Sequence, residues 1–253
     1  MKDLLLKSNM AINLKTELEN LTQKSYFTLK SGTNNLDLLL GGGFHSGKTY
    51  IIYGTNSTGK TQLCHQVCLE AFKIGIKTVY FDTENTFRPE RIKELCLHQG
   101  LDYIDVLKSI LVASIKSDDV LNYKISELEN VLKDSGVKLI IIDTINNYYR
   151  LEQGASSKKS KKLFVNILSH LNLLTKKYDL ISIYSSQVSP NFIPNSKIQH
   201  FPVGIQYLNH FFTEFIYLSR SIDKLYMHLV KSSYVNENRL PYTIKSEGII
   251  DVN

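Results

Sequence analysis

The stretch Thr49-Tyr-Ile-Ile-Tyr-Gly-Thr-Asn-Ser-Thr-Gly-Lys-Thr61 decides how this chain is read. Five β-branched or aromatic residues, Thr49–Tyr53, predict a buried strand. Gly54, Gly59, Lys60 and Thr61 then fit G-x-x-x-x-G-K-[ST], and an amphipathic stretch, Lys60–Lys73, follows at once and stops at Gly75. Strand, loop and helix in that order make the pattern a phosphate-binding loop. Two glycines let successive N–H groups curl inward, with the positive end of a helix behind them. Gly54, Thr55, Asn56, Ser57, Thr58, Gly59, Lys60, Thr61 and Gln62 are the candidate nucleotide-binding residues. Lys60 is expected to reach the β- and γ-phosphates of ATP, and Thr61 to give a hydroxyl to Mg²⁺.

Outward from this loop the alternation of strand and helix recurs. Strands are expected at Thr78–Asp82, Val106–Leu111, Leu139–Asp143 and Leu180–Ser185, with helices at Pro89–Gln99, Asp118–Lys133 and Lys161–Lys177. Pro89 and Ser117 mark helix starts; Gly100 and Gly136 mark ends. Beyond about residue 212 the pattern changes to Glu214–Ser219, Leu225–Lys231 and Leu240–Ser246 between polar turns, which predicts an antiparallel meander. The fold class is α/β: a mostly parallel sheet flanked by helices, with antiparallel C-terminal strands. No linker or repeat interrupts it, so residues 27–253 read as one ATPase core domain. Residues 1–26 read as a lead-in segment, with Leu14, Leu18 and Leu21 at helical spacing.

Composition narrows the class further. Of 253 residues 43% are hydrophobic and 21% charged, which excludes a disordered tail or a fibrous repeat. Cys64, Cys68 and Cys96 are an odd set without a disulfide framework, and read as buried thiols in a reducing compartment. No cleavable leader and no bilayer-length apolar run is seen, so the expectation is a soluble intracellular protein without a membrane partner. Thirty Lys+Arg against 24 Asp+Glu give a formal charge of +6, a mild excess that favours a polyanionic partner without identifying one.

Four further elements carry chemistry. Val137-Lys-Leu-Ile-Ile-Ile-Asp143 is a buried strand ending in a carboxylate that can hold magnesium. Glu84 lies just past the strand that follows the phosphate-loop helix, at the edge where open α/β sheets bind ligands, and is placed to activate a water. Gln187 ends the last parallel strand and faces the same crevice, so its amide can report a γ-phosphate. Lys158, Lys159, Lys161 and Lys162 crowd a loop and helix start, where four cations oppose the helix dipole and call for an anion.

The strings Tyr53–His65, Tyr80-Phe-Asp-Thr-Glu-Asn-Thr-Phe-Arg-Pro-Glu-Arg-Ile92, Leu139-Ile-Ile-Ile-Asp143 and Ser185-Ser-Gln-Val188 resemble the four signature blocks of the RecA-like strand-exchange ATPases, nearest to their archaeal and eukaryotic branch. The second block is the most specific, since generic nucleotide binding does not demand it. The resemblance implies a RecA-like P-loop core, Glu84 as water-orienting base, Arg91 stacked on adenine, and Gln187 as γ-phosphate sensor. It implies two DNA loops, one from Arg150 to Lys162 and one from Ser189 to Pro202, the latter contributing Lys197. The function implied is a DNA-dependent ATPase of homologous recombination and repair. It would bind ATP, Mg²⁺ and single-stranded DNA, assemble with itself or with recombinase-family proteins, and act in the nucleoid of a prokaryotic cytoplasm or in a eukaryotic nucleus. The alternatives are a non-catalytic ATP-binding assembly module and a RecA-core signalling ATPase or small-molecule kinase. Asn85 stands where the family has glycine, and no Phe-x-x-Ala motif is found in residues 1–30. These departures predict a core-only paralogue that assists a main recombinase.

Overall fold

A computed structural model describes residues 26–133, 135–151, 157–193, 196, 198–222, 224–236 and 238–252. The predicted lead-in helix and Lys197 lie outside them. In chain order the elements are β1 (Thr28–Leu29), α1 (Asn34–Leu39), β2 (Phe44–His45), β3 (Lys48–Gly54), α2 (Lys60–Lys73), β4 (Lys77–Asp82), α3 (Pro89–Gln99), α4 (Tyr103–Lys108), β5 (Ile110–Ser114), α5 (Asp118–Leu132) and β6 (Val137–Asp143). They continue with α6 (Asn147–Leu151), α7 (Ser157–Lys177), β7 (Ile181–Ser186), β8 (Val188–Pro190), β9 (His200–Pro202), α8 (Ile205–Phe211), β10 (Glu214–Ser221), β11 (Lys224–Lys231), β12 (Asn238–Lys245) and β13 (Gly248–Asp251).

A nine-stranded sheet takes the order β13-β12-β11-β10-β3-β7-β6-β4-β5. From β10 to β5 neighbours are parallel; β10 to β13 form the antiparallel meander. Successive strand residues face opposite sides. Tyr50 and Ile52 pack with Leu63, Val67 and Cys68 of α2, whereas Ile51 and Tyr53 pack with Phe164, Ile167 and Leu168 of α7. Both faces of the central strands are covered, which is why β3 and β6 read as continuous apolar runs rather than alternating ones. The three cysteines are free and buried, as their apolar spacing predicts.

The register sets up the site. Tyr53 pairs with Ser186, Asp82 with Asp143 and Gly54 with Leu218, so neighbouring strands finish level at one carboxyl edge.

Two expectations need correction. Val106 lies in helix α4, and the strand is Ile110–Ser114. The Asp102 carboxylate accepts from the N–H groups of Ile104 (2.8 Å) and Asp105 (3.2 Å), and this cap turns the chain into a helix whose apolar residues still reach the core. Helix α7 starts at Ser157 rather than Lys161, so the lysine cluster occupies its first turns. The small hairpin β8–β9 and helices α1 and α8 have no counterpart in the predicted elements.

Candidate functional site

The phosphate loop leaves β3 at Gly54 and enters α2 through Gly59, whose φ of 94° lies in the left-handed region. Both glycines are required by what surrounds them. A Cβ on Gly54 would sit 2.2 Å from the Leu218 carbonyl, and one on Gly59 2.9 Å from Ile244 Cδ1. The loop is braced from the meander side: Tyr242 donates its hydroxyl to the Thr58 carbonyl at 2.5 Å, and Arg220 donates to the Ser57 carbonyl at 3.0 Å. Thr58 Oγ1 closes the turn on the Thr55 carbonyl at 2.8 Å.

Lys60 folds back into this loop, its Nζ donating to the carbonyls of Gly54 (2.9 Å) and Thr55 (3.0 Å). Burial pushes the ammonium below the ordinary lysine range, against the opposing pull of Asp143 and Glu84. Thr61 Oγ1 donates to Asp143 Oδ2 at 2.7 Å. The buried Asp143 also accepts from Tyr80 OH (3.0 Å), Thr86 Oγ1 (3.4 Å) and, at its other oxygen, Ser185 Oγ. Four hydroxyls thus hold one carboxylate in a fixed orientation without neutralising it. Burial and the nearby Asp143 push the Tyr80 phenol far above its ordinary value, so it remains a donor.

Glu84 is delivered by a turn that Asp82 organises. The Asp82 carboxylate accepts from the N–H groups of Glu84 (3.2 Å), Thr86 (3.1 Å) and Phe87 (3.0 Å). Asn85, at φ 57°, adopts the left-handed conformation that glycine or asparagine tolerates, which accounts for the departure noted in the second block. Glu84 Oε1 accepts from Thr144 Oγ1 at 3.0 Å and from Gln187 Nε2. The predicted base and the predicted sensor are therefore in direct contact, across 103 positions of sequence.

Arg91 sits at the other end of the loop. It donates to Gln62 Oε1 (2.6 Å), to the carbonyls of Lys245 (2.9 Å) and Ser246 (2.9 Å), and to Glu94. It joins the start of α2 to the turn between β12 and β13. Gln62 keeps its buried Nε2 without a hydrogen-bond partner, a donor available beside the loop.

The donor set suits a magnesium-bound triphosphate: loop backbone amides and an ammonium for phosphate oxygens, with one hydroxyl and one oriented carboxylate for a hard cation. Among the described residues no three His, Cys, Asp or Glu side chains gather to hold a metal by themselves. A cation here would rest on Thr61, Asp143 and oxygens brought by its ligand.

The predicted basic residues form a separate group. Arg150 is exposed at the end of α6, and Lys158, Lys159, Lys161 and Lys162 are exposed on the first turns of α7, around the buried Ser160. The second loop is built on β8–β9, and Phe192 beyond it is 88% exposed. An open cleft of about 510 Å³, lined by Gly54, Thr55, Asn56, Gln187, Pro190 and His200, separates the phosphate loop from this hairpin. Tyr80, Asp82, Ser185, Tyr242 and Arg220 were not singled out from sequence. Only Asp82 carried a signal, as the first residue of an Asp-x-Glu turn able to cap its own N–H groups.

Among the described residues no helix is long and apolar enough to cross a membrane. The family model for Rad51 matches residues 22–252. A DNA repair and recombination protein RadB from Methanosphaera stadtmanae is 31% identical over 209 residues, covering 82% of this chain and 88% of the relative. A DNA repair and recombination protein RadA from Methanococcus maripaludis is 29% identical over 262 residues, covering 95% and 81%. Another protein of that name from Metallosphaera sedula is 34% identical over 188 residues, covering 70% and 58%. With the phosphate loop, the oriented Asp143 and the Glu84–Gln187 pair at one sheet edge, this match over most of the sequence places the chain in the Rad51 family of RecA-like proteins.

Proposed function

We propose that this protein is an ATP-dependent DNA-binding protein of recombination and repair, which hydrolyses ATP in response to single-stranded DNA and assists a main recombinase. The observation that carries the reading is the contact of Gln187 with Glu84, because Gln187 is also the residue from which the β8–β9 hairpin departs. A group that reads the nucleotide edge is thereby two residues from a candidate DNA loop. The names borne by the RadB and RadA relatives support the same assignment.

On this reading Gly54 to Gln62 cradle the phosphates, Lys60 leaves the loop carbonyls for phosphate oxygens, and Arg91 offers the flat face of its guanidinium to adenine. Thr61 and Asp143 would hold Mg²⁺, which would supply positive charge against the charge developing on the phosphates. Glu84 orients a water toward the γ-phosphorus and takes its proton. Arg150, Lys158, Lys159, Lys161 and Lys162 neutralise DNA phosphates, with Lys197 in the second loop; sequence independence and salt sensitivity follow from that chemistry. Residues 27–253 act as one core domain, alone or assembled with itself or with recombinase-family proteins, in the DNA-bearing compartment of the cell.

The test is phosphate release with and without single-stranded DNA. DNA-stimulated turnover that is absent from Glu84→Gln is expected. Tight nucleotide binding with no turnover under either condition would assign the protein instead to the class of passive ATP-holding modules.

A further inference from the structure

Asn146 stands outside every motif above, three residues beyond Asp143, and is fully buried. The two hydrogens of its Nδ2 are shared among Ser186 Oγ (2.8 Å) and the carbonyls of Gln187 (3.0 Å) and Val203 (3.0 Å), while its Oδ1 accepts from the Gln187 N–H (3.0 Å). The partners fix which way the amide faces, since turning it would set its oxygen against two backbone carbonyls. Gln187 is where the chain enters the β8–β9 hairpin and Val203 is where it leaves. These two close on each other through the Val203 N–H and the Gln187 carbonyl at 2.9 Å. One side chain therefore grips both feet of the second loop.

The Asn146 backbone serves the first loop. Its carbonyl accepts from the Arg150 N–H at 3.0 Å, forming the turn of α6 that leads to residues 152–156. The residues before it are tied to the nucleotide edge: Ile145 N–H donates to the Ser185 carbonyl (2.9 Å), and Thr144 donates to Glu84. The side-chain chemistry is demanding. Two donors and one acceptor on a single plane are supplied by asparagine; threonine has one donor and an ionised aspartate has none.

We infer that Asn146 is a positioning residue that couples the nucleotide edge to the feet of both candidate DNA loops. A shift of the Gln187 backbone then moves the Val203 exit with it, or breaks a buried hydrogen bond. This rests on the functional reading above, and goes beyond it by naming the residue through which the coupling runs.

The experiment measures affinity for oligo-dT, with and without a slowly hydrolysed ATP analogue, for wild type and Asn146→Ala. In wild type the analogue is expected to raise DNA affinity about tenfold or more. In the variant, nucleotide affinity and nucleotide-free DNA affinity stay within about threefold of wild type, while the enhancement by the analogue disappears. A wild-type enhancement that Asn146→Ala retains removes this inference alone. A wild type without enhancement removes the functional reading and this inference together. Should Asn146→Ala not fold, hydrogen exchange of the wild type decides: the Gln187 and Val203 amides are expected to slow together on adding the analogue. Slowing at one without the other overturns the proposal.

Discussion

At the scale of single residues, the site combines groups that each need a particular neighbour. Glu84 is held by Thr144 and Gln187, and Glu84→Gln preserves an acceptor for both while removing the proposed base. Phosphate release is expected to fall by about 10²- to 10⁴-fold with nucleotide affinity nearly unchanged, as measured by steady-state turnover and titration calorimetry. His65 makes a different prediction. Burial lowers its pKa to about 4, and its ring lies against Tyr80 and Phe87 with Nε2 unpaired. A depressed pKa means that the folded state favours the neutral ring. This stabilising preference is complete above about pH 6.5 and is lost as pH falls toward 4, to the extent of roughly 3 kcal/mol. Denaturant midpoints should therefore drop across that window, and His65→Phe should flatten the drop. An unchanged slope in the variant would place the acid sensitivity elsewhere.

At the scale of elements, the phosphate loop is shaped by strands distant in sequence as much as by its own glycines. Gly54 is pressed against the β10 backbone, where neither strand can yield, so Gly54→Ala should cost about 1–3 kcal/mol or more and abolish nucleotide binding. A folded variant that binds nucleotide normally would show that β10 can move aside. Tyr242 supports the opposite limb of the loop. Tyr242→Phe removes the hydroxyl that satisfies the Thr58 carbonyl and should cost about 1 kcal/mol in urea unfolding, with weaker nucleotide binding. The meander thus does more than extend the sheet, because it fixes the phosphate loop from behind.

At the scale of the whole molecule, charge is concentrated where the chemistry calls for a polyanion. The net charge of +6 is modest, yet four lysines share the first turns of α7. Replacing Lys158, Lys159, Lys161 and Lys162 with alanine should weaken oligo-dT binding and flatten the dependence of log K on log salt by up to about 0.7 for each lysine that meets a phosphate. Fluorescence anisotropy at several salt concentrations measures both. An unaltered slope would exclude this helix start from the DNA surface. Because the cluster is exposed and none of its lysines lines the cleft beside the phosphate loop, nucleotide affinity without DNA should not change.

The local features of the sequence determined the parallel core and the position of the candidate phosphate loop on it. A strand, a glycine-bearing turn and an amphipathic helix are specified by neighbours along the chain, so Lys60, Thr61 and the start of α2 were legible from residues 49–73. The strand expected at Val106–Leu111 was misplaced because an apolar run of that length suits a helix or a strand equally, and the Asp102 cap decided between them. What only the tertiary structure decided was which distant side chains meet. Tyr80, Ser185 and Thr61 converge on Asp143, Gln187 reaches Glu84, and Asn146 joins both feet of a hairpin. Such contacts depend on strand order and register, and a one-residue slip would turn Tyr80, Asp143 or Ser185 to the other face of the sheet.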